Sequence, residues 1–216
     1  MQQLFVINFK AYPNTIGEKG LKIAKTLDEF AKETGKKIII SVSATDIRMI
    51  KKAVDIPVYA QGFDPVEPGS KTGHITLEAL LDCGMDGTLI NHSEKRIPLE
   101  EIKKVIDKTK SAGKTVIVCV KDPQEAKIIS EFEPDYVAIE PPELIGGDIS
   151  VSKAKPEIIE EGVKLSKVPV LVGAGIKTYE DVKKAAELGS VGVLVASGIV
   201  KKDDVKQAIK DLTELE

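Results

Sequence analysis

Short, β-branched apolar runs recur along the chain at intervals filled by longer amphipathic stretches. The runs are Leu4–Asn8, Lys37–Val42, Pro57–Gln61, Gly87–Asn91, Thr115–Val120, Tyr136–Glu140, Val168–Gly173 and Val191–Ala196. Several are nearly continuous apolar segments instead of alternating ones, the pattern of parallel strands covered on both faces. Gly20–Thr34 shows the complementary pattern: Ile23, Ala24, Leu27, Phe30 and Ala31 fall on one helical face, with lysines and acids on the other. Thr178, followed three residues later by Asp181, predicts a capped helix start ahead of Val182–Leu188, and Gly189 ends that unit. Strand and helix in alternation give a right-handed parallel sheet, and eight repeats predict an α/β fold, a compact closed (β/α)8 barrel.

No repeat beyond this period and no low-complexity linker interrupts the chain, so residues 1–216 are read as one barrel domain. The longest irregular segments, Gln61–Gly73 and Pro141–Ser152, both follow strands. In a parallel barrel that places them on the face where active sites lie. Hydrophobic residues make up 42% of the chain, enough to bury a core. Its 31 basic and 34 acidic residues are mixed along the sequence, for a net charge of -3. Such a chain offers no basic field to nucleic acid or an anionic membrane, and a small-molecule partner is favoured. No apolar run approaches a membrane span, and Met1–Lys10 lacks the basic start and apolar stretch of a secretion signal, so a cytoplasmic protein is expected. Cys83 and Cys119 stand far apart with no CxxC pair and no nearby histidine ligands. That pattern points to reduced, packed thiols instead of a disulfide or a structural metal.

Polar side chains gather where the predicted strands end: Asn8 and Lys10 after the first, His92 and Glu94 after the fourth, Glu140 after the sixth. A Lys, a His and a Glu at three strand ends are hard to explain by packing, although each alone has an undemanding reading. Lys10 alone would be a solvated lysine, His92 a structural histidine, and Glu140 a cap or salt-bridge partner. In Asn91-His92-Ser93-Glu94-Lys95-Arg96 the histidine opens a polar loop expected to run into a helix, whose backbone dipoles would favour a neutral imidazole. Glu140 lies between Val137–Ile139 and the stiff pair Pro141-Pro142, a rigid backbone that aims it. Glycines mark three further turns: Ile145-Gly146-Gly147, Gly173-Ala174-Gly175 and Ala196-Ser197-Gly198. Small residues let backbone N–H groups approach an anion, and in barrels the turns after the last two strands often bind phosphate.

Read together, these residues resemble the triosephosphate isomerase family over essentially the whole chain. Asn8-Phe9-Lys10, Asn91-His92-Ser93-Glu94 and Ala138-Ile139-Glu140-Pro141 look like its three catalytic signatures. The short length, Pro141–Gly146 and Ser152-Lys153-Ala154-Lys155-Pro156-Glu157 look like its compact archaeal branch. A glutamate base paired with a neutral histidine electrophile is that family's own chemistry, and it reaches this chain through the resemblance alone. It implies that Glu140 removes a carbon-bound proton while His92 donates to the carbonyl oxygen, giving an enediol or enediolate. Asn8 and Lys10 would stabilise the developing negative charge, and Glu94 would position Lys10 from behind. No metal and no redox cofactor is implied. The loop Pro141–Asp148 would close on triose phosphate, bringing Ile145 and Gly146 to the phosphate opposite Gly175, Ala196 and Ser197. Gly147-Asp148 departs from the commoner Thr-Gly at the far hinge.

The same resemblance makes Pro68–Ile75 an intersubunit loop in which Thr72 reaches a neighbouring active site, implying a homo-oligomer, with a tetramer favoured over a dimer. The plain alternative for Thr72 and His74 is a turn and a cap. Cys119 matches a family position near the site, with packing its simpler role. The resemblance also implies a place in glycolysis and gluconeogenesis. Two other readings compete: another phosphate-binding barrel such as an epimerase, a synthase or a Schiff-base aldolase using Lys10, and a noncatalytic phosphate-metabolite binder.

Overall fold

A computed structural model of the chain describes residues 3–145 and 150–214. Eight parallel strands close into a barrel in chain order: β1 Leu4–Asn8, β2 Lys37–Val42, β3 Val58–Ala60, β4 Gly87–Ile90, β5 Thr115–Val120, β6 Tyr136–Ile139, β7 Val170–Val172 and β8 Gly192–Val195. The ring shuts where Leu4 of β1 sits opposite Lys37 of β2 on one side and Gly192 of β8 on the other. Three of the strands have the limits that the hydrophobic pattern predicts, and five are shorter. At the start of β3, Pro57 has no N–H to give to a ladder. At the far ends Gln61, Asn91, Glu140, Gly173 and Ala196 drop out of the strands, and all five lie around the barrel mouth.

The helices among the described residues follow the strands: α1 Gly17–Thr34, α2 Ile47–Lys51, α3 Leu77–Asp82, α4 Leu99–Ser111, α5 Pro123–Ser130, α6 Val151–Ala154, α7 Pro156–Leu165, α8 Tyr179–Glu187, α9 Ser197–Val200 and α10 Val205–Thr213. α1 buries Ile23, Ala24, Leu27 and Phe30 of the predicted stripe, with Ala31 half-buried beside them, and ends on Gly35 in the left-handed conformation. α8 opens with a reciprocal capping box between Thr178 and Asp181. None of these helices is long and apolar enough to cross a membrane.

Because strand side chains alternate, two apolar layers form. Val6, Ile39, Tyr59, Leu89, Ile117 and Leu194 belong to the cluster that fills the barrel. Their neighbours Ile7, Ile40, Val58, Ile90, Val118 and Val193 belong to the larger shell under the helices. The interior is therefore a packed core with a polar rim at one end. Behind that rim α7 comes close to β6: a Cβ on Gly162 would stand 2.1 Å from Ile139 Cδ1. Glycine at this point lets the helix support the strand that carries Glu140.

Candidate active site

The inward parity that packs the barrel continues into its mouth. Residues 4, 6 and 8 of β1, 59 in β3 with 61 just past it, 138 in β6 with 140 just past it, and 171 in β7 with 173 just past it share one face. Apolar residues thus give way to Asn8, Gln61, Glu140 and Gly173 at the carboxyl ends of the strands. His92 does not share this parity. It is reached through Asn91, whose backbone is left-handed (φ 60°) and whose side chain donates to the Cys119 carbonyl at 2.9 Å and accepts from the Ile97 N–H at 3.2 Å. Lys10 is also left-handed (φ 52°), unusual for a residue with a long side chain.

One cleft is lined by Asn8, Lys10, His92 and Glu140 together with Ile145, Gly175, Ala196 and Ser197. Glu94 adjoins it, in a neighbouring hollow that shares Asn8, Lys10 and His92. Lys10 Nζ lies 2.7 Å from Glu94 Oε1, and His92 Nε2 lies 3.6 Å from Glu140 Oε2. Glu140 is only 6% exposed, and its Oε2 is buried with no hydrogen-bond partner among the described residues. Burial pushes its carboxyl above the usual range, with His92, the Cys119 thiol and Lys10 offsetting part of the rise. The Cys119 thiol is itself pushed well up, by burial first and then by Glu140, and so stays protonated. Packing alone is thus not the whole of its surroundings.

No helix begins at His92. Ser93 and Glu94 form a turn, Pro98 follows, and α4 starts at Leu99, because a residue before proline is held extended. The expected backbone donor is still present, supplied by the turn: the Glu94 N–H donates to His92 Nδ1 at 3.2 Å. A backbone N–H can only donate, so Nδ1 is the acceptor in this contact, which leaves Nε2, facing Glu140, as the ring's donor.

Two contributors are not marked by charge at a strand end. Gln61 Nε2 lies 3.2 Å from Asn8 Oδ1, 3.0 Å from the Lys10 carbonyl and 3.2 Å from the Ser41 carbonyl. Asn8 Oδ1 also accepts from the Lys10 N–H at 2.9 Å. Gln61 and Asn8 together therefore brace the strained backbone of Lys10. The signal that could have found Gln61 is its inward parity, two residues past Tyr59. Gly173, expected as part of an anion turn, has a second property: a Cβ there would lie 2.5 Å from Glu140 Cγ and Oε1. Its missing side chain is the space that the carboxylate occupies.

Gly146 and the hinge pair Gly147-Asp148 lie outside the described residues. Thr72 belongs to an exposed run, 67–75, far from the strand ends that carry Lys10 and Glu140 in sequence. The base of that run is pinned by Asp64, which accepts from the Ile75 N–H at 2.9 Å and faces His74 Nδ1 at 3.2 Å. Among the described residues no group of three or more His, Cys, Asp or Glu side chains could hold a metal ion.

A closed parallel barrel with its polar cleft at the carboxyl ends of the strands falls in the class of (β/α)8-barrel enzymes. Comparison with known proteins narrows the class. The model of the triosephosphate isomerase family matches residues 3–212, and the chain belongs to that family. It is 50% identical to the triosephosphate isomerase of Methanocaldococcus jannaschii over 187 residues, covering 84% of this chain and 85% of that one. It is 45% identical to that of Methanothermus fervidus over 187 residues, covering 84% of each. Among solved structures, the N-acetylmannosamine-6-phosphate 2-epimerase of Clostridium perfringens superposes with a TM-score of 0.68 at 20% identity, covering 98% of this chain and 92% of that one. That last likeness is one of fold alone.

Proposed function

We propose that this chain, acting as one barrel domain over residues 1–216, interconverts dihydroxyacetone phosphate and D-glyceraldehyde 3-phosphate. The observation that carries this reading is the pair formed by Glu140 and His92: a desolvated carboxylate with one oxygen that has no hydrogen-bond partner among the described residues, 3.6 Å from His92 Nε2, the ring nitrogen left free to donate.

The steps follow from what each group can exchange. Glu140 takes a proton from the carbon beside the carbonyl, and the C–H electron pair becomes the C–C double bond of an enediolate. A raised carboxyl pKa makes Glu140 a better base for this than an exposed carboxylate. His92 donates its Nε2 hydrogen bond to the oxygen where negative charge appears. Lys10, oriented by its ion pair to Glu94, and the Asn8 amide add to that stabilisation, which grows where water is excluded. His92 gives its Nε2 proton to that oxygen and takes up the proton of the neighbouring hydroxyl, and Glu140 returns the carbon-bound proton to the adjacent carbon, so the new carbonyl forms, the enzyme ends as it began and no electrons leave the substrate.

Gly175, Ala196 and Ser197, with Ile145 across the cleft, form the wall proposed for the phosphate, and Gly146 would complete it when the segment from Pro141 closes. The exposed run around Thr72, with Ile75 41% exposed at its base, is proposed as the contact of a homo-oligomer, a tetramer in preference to a dimer. A reversible reaction of this kind would serve both glycolysis and gluconeogenesis, in the cytoplasm. An aldolase would need a free amine at Lys10, and the 2.7 Å contact with Glu94 speaks against it.

A coupled assay with dihydroxyacetone phosphate, run beside borohydride reduction with glyceraldehyde 3-phosphate, tests the proposal. Isomerisation without a lysine adduct is expected. A trapped adduct and no isomerisation would transfer the assignment to the aldolases, and neither outcome would leave a noncatalytic binder.

A further inference from the structure

The capping box of α8 does more than start a helix. Asp181 is buried, 3% exposed, and its two carboxylate oxygens face different parts of the chain. Oδ2 accepts the N–H groups of Lys177 and Thr178, each at 3.0 Å, at the end of the turn that follows β7. Oδ1 accepts the Ser150 hydroxyl at 2.8 Å and pairs with Lys153 Nζ at 2.7 Å, both from the segment between β6 and α7. Ser152 Oγ reaches the Asp181 carbonyl at 3.2 Å and Ser150 Oγ at 3.0 Å, and both serines are 1% exposed. A short link runs beside them: the Val151 N–H donates to the Ala174 carbonyl at 3.2 Å.

Capping a helix requires none of this burial. An exposed acid at the third helical position completes a capping box equally well. Burial alone would raise the Asp181 carboxyl, yet Lys153, the Lys177 and Thr178 amides and Ser150 together bring it down to about 2. It is therefore a fixed negative charge at working pH. The backbone it holds has a matching need. Ala174 (φ 73°) and Gly175 (φ 71°) are consecutive left-handed residues in the wall of the cleft, and the alanine Cβ makes that conformation unfavourable. A residue stays there only when its surroundings over-determine it.

We propose that Asp181 is a positioning residue: it clasps the segment Ser150–Ser152 to the turn Gly173–Thr178, and so sets the shape of the wall that receives the substrate's phosphate. This rests on the proposed isomerase reading of the cleft and adds to it a determinant outside the cleft. Two of the contacts around Asp181 can be cut separately. Ser150→Ala removes the buried hydroxyl bond to the Asp181 carboxylate, leaves the Lys153 ion pair and the Ser152 bond to the Asp181 carbonyl in place, and keeps the capping box whole. Thr178→Ala removes the hydroxyl of the box and leaves the bond between Ser150 and Asp181.

The two variants and the wild type are to be compared by inorganic phosphate titration in a calorimeter, by kcat and KM with a triose phosphate, and by thermal midpoint. Ser150→Ala is expected to weaken phosphate binding and raise KM about tenfold with kcat changed less, and the lost hydrogen bond to a buried charged group also lowers the midpoint by a few degrees. Thr178→Ala is expected to lower the midpoint by a few degrees, about what a lost cap does, with KM within about twofold of wild type. Unchanged phosphate affinity in Ser150→Ala overturns the clasp. So does a weakening that Thr178→Ala reproduces, because affinity would then follow stability alone. A wild-type protein that neither binds phosphate nor isomerises triose phosphates overturns the isomerase reading and the clasp together, a result distinct from an active wild type with an indifferent Ser150→Ala.

Discussion

At the amino-terminal ends of the strands, Asp28 accepts the N–H groups of Asp55 and Ile56 at 2.8 and 3.0 Å, Asp86 that of Val58 at 2.8 Å, and Asp135 that of Val116 at 2.8 Å. At the carboxyl-terminal ends Glu140 exposes as little surface as Asp28, yet one of its oxygens has no hydrogen-bond partner among the described residues. Burial pushes both carboxyls up. For Asp28 the Lys32 ammonium and the two backbone N–H groups reverse the shift, whereas for Glu140 nothing does so fully. Glu140 lies deeper, and unlike Asp28 it has neither a lysine in direct hydrogen-bond contact nor backbone donors aimed at it. A saturated carboxylate ties elements together, while an unsaturated one keeps the capacity to take a proton. Left-handed non-glycine backbone is concentrated at the functional end, at Lys10, Asn91 and Ala174, against Glu133 ahead of β6.

Glu140→Gln is the sharpest way to break this contrast. The amide keeps the shape and removes the base, so kcat should fall by about 10³-fold, within the range for loss of a general base. Removing a desolvated charge should leave the thermal midpoint unchanged or raised. A variant within tenfold of wild-type kcat, or one that unfolds earlier, would mean that Glu140 belongs with the structural carboxylates. Gly173→Ala asks whether position matters as much as identity. The new methyl group would overlap Glu140 Cγ and Oε1, and a displacement of about 1 Å at a reacting group can cost about 10²-fold in rate. We expect a loss of that order in kcat with KM little altered. Unchanged kcat would show that the carboxylate has room to move.

Asp28→Ala tests the opposite end. It leaves the Asp55 and Ile56 N–H groups without their acceptor, at a cost of about 1–3 kcal/mol. In a chain of this length the midpoint should drop by about 2–4 °C per kcal/mol, read by calorimetry, while kcat/KM stays at the wild-type value. The ion pairs of Lys32 with Asp28 and Asp55 add little, because Lys32 and Asp55 are exposed. A fall in kcat/KM without a fall in stability would erase the distinction between the ends.

The strands are legible in the sequence because parallel strands are apolar on both faces, which leaves continuous runs such as Ile38–Val42 and Val116–Val120. Lys10, His92 and Glu140 stand out because each is a charged or titratable residue where packing predicts none. What stays hidden is polar in an ordinary way or has no side chain at all. Gln61 passes for a turn residue until inward parity is followed beyond Tyr59, and a glycine cannot announce that it makes room for a particular carboxylate. Asp181 shows a related limit: its spacing from Thr178 is the signature of a cap, but its second partner, Ser150, is 31 positions away. The polar loop that His92 opens does run into a helix, α4, but Pro98 holds its start at Leu99, so the backbone donor beside the imidazole comes from the turn at Glu94 and not from the helix.

The smallest expected effect is also the most direct comparison of the two ends, because their carboxylates should respond to pH with opposite signs. Glu140 has a folded pKa above its ordinary value of 4.5, so the folded state holds its proton more tightly than the unfolded state does. Its contribution to stability is complete below pH 4.5 and is lost as pH rises through the raised value. Asp28 has a folded pKa below its ordinary value of 3.8, so its contribution is present above pH 3.8 and is lost as pH falls through the lowered value. Urea unfolding of wild type, Glu140→Gln and Asp28→Asn, from about pH 7 to about pH 3, separates the two. Relative to Glu140→Gln, wild type should gain stability as pH falls toward 4.5, and relative to Asp28→Asn it should lose stability only below 3.8. Each slope is bounded by about 1.4 kcal/mol per pH unit, the limit for one proton. Two differences that change with the same sign would mean that the barrel does not treat its ends differently.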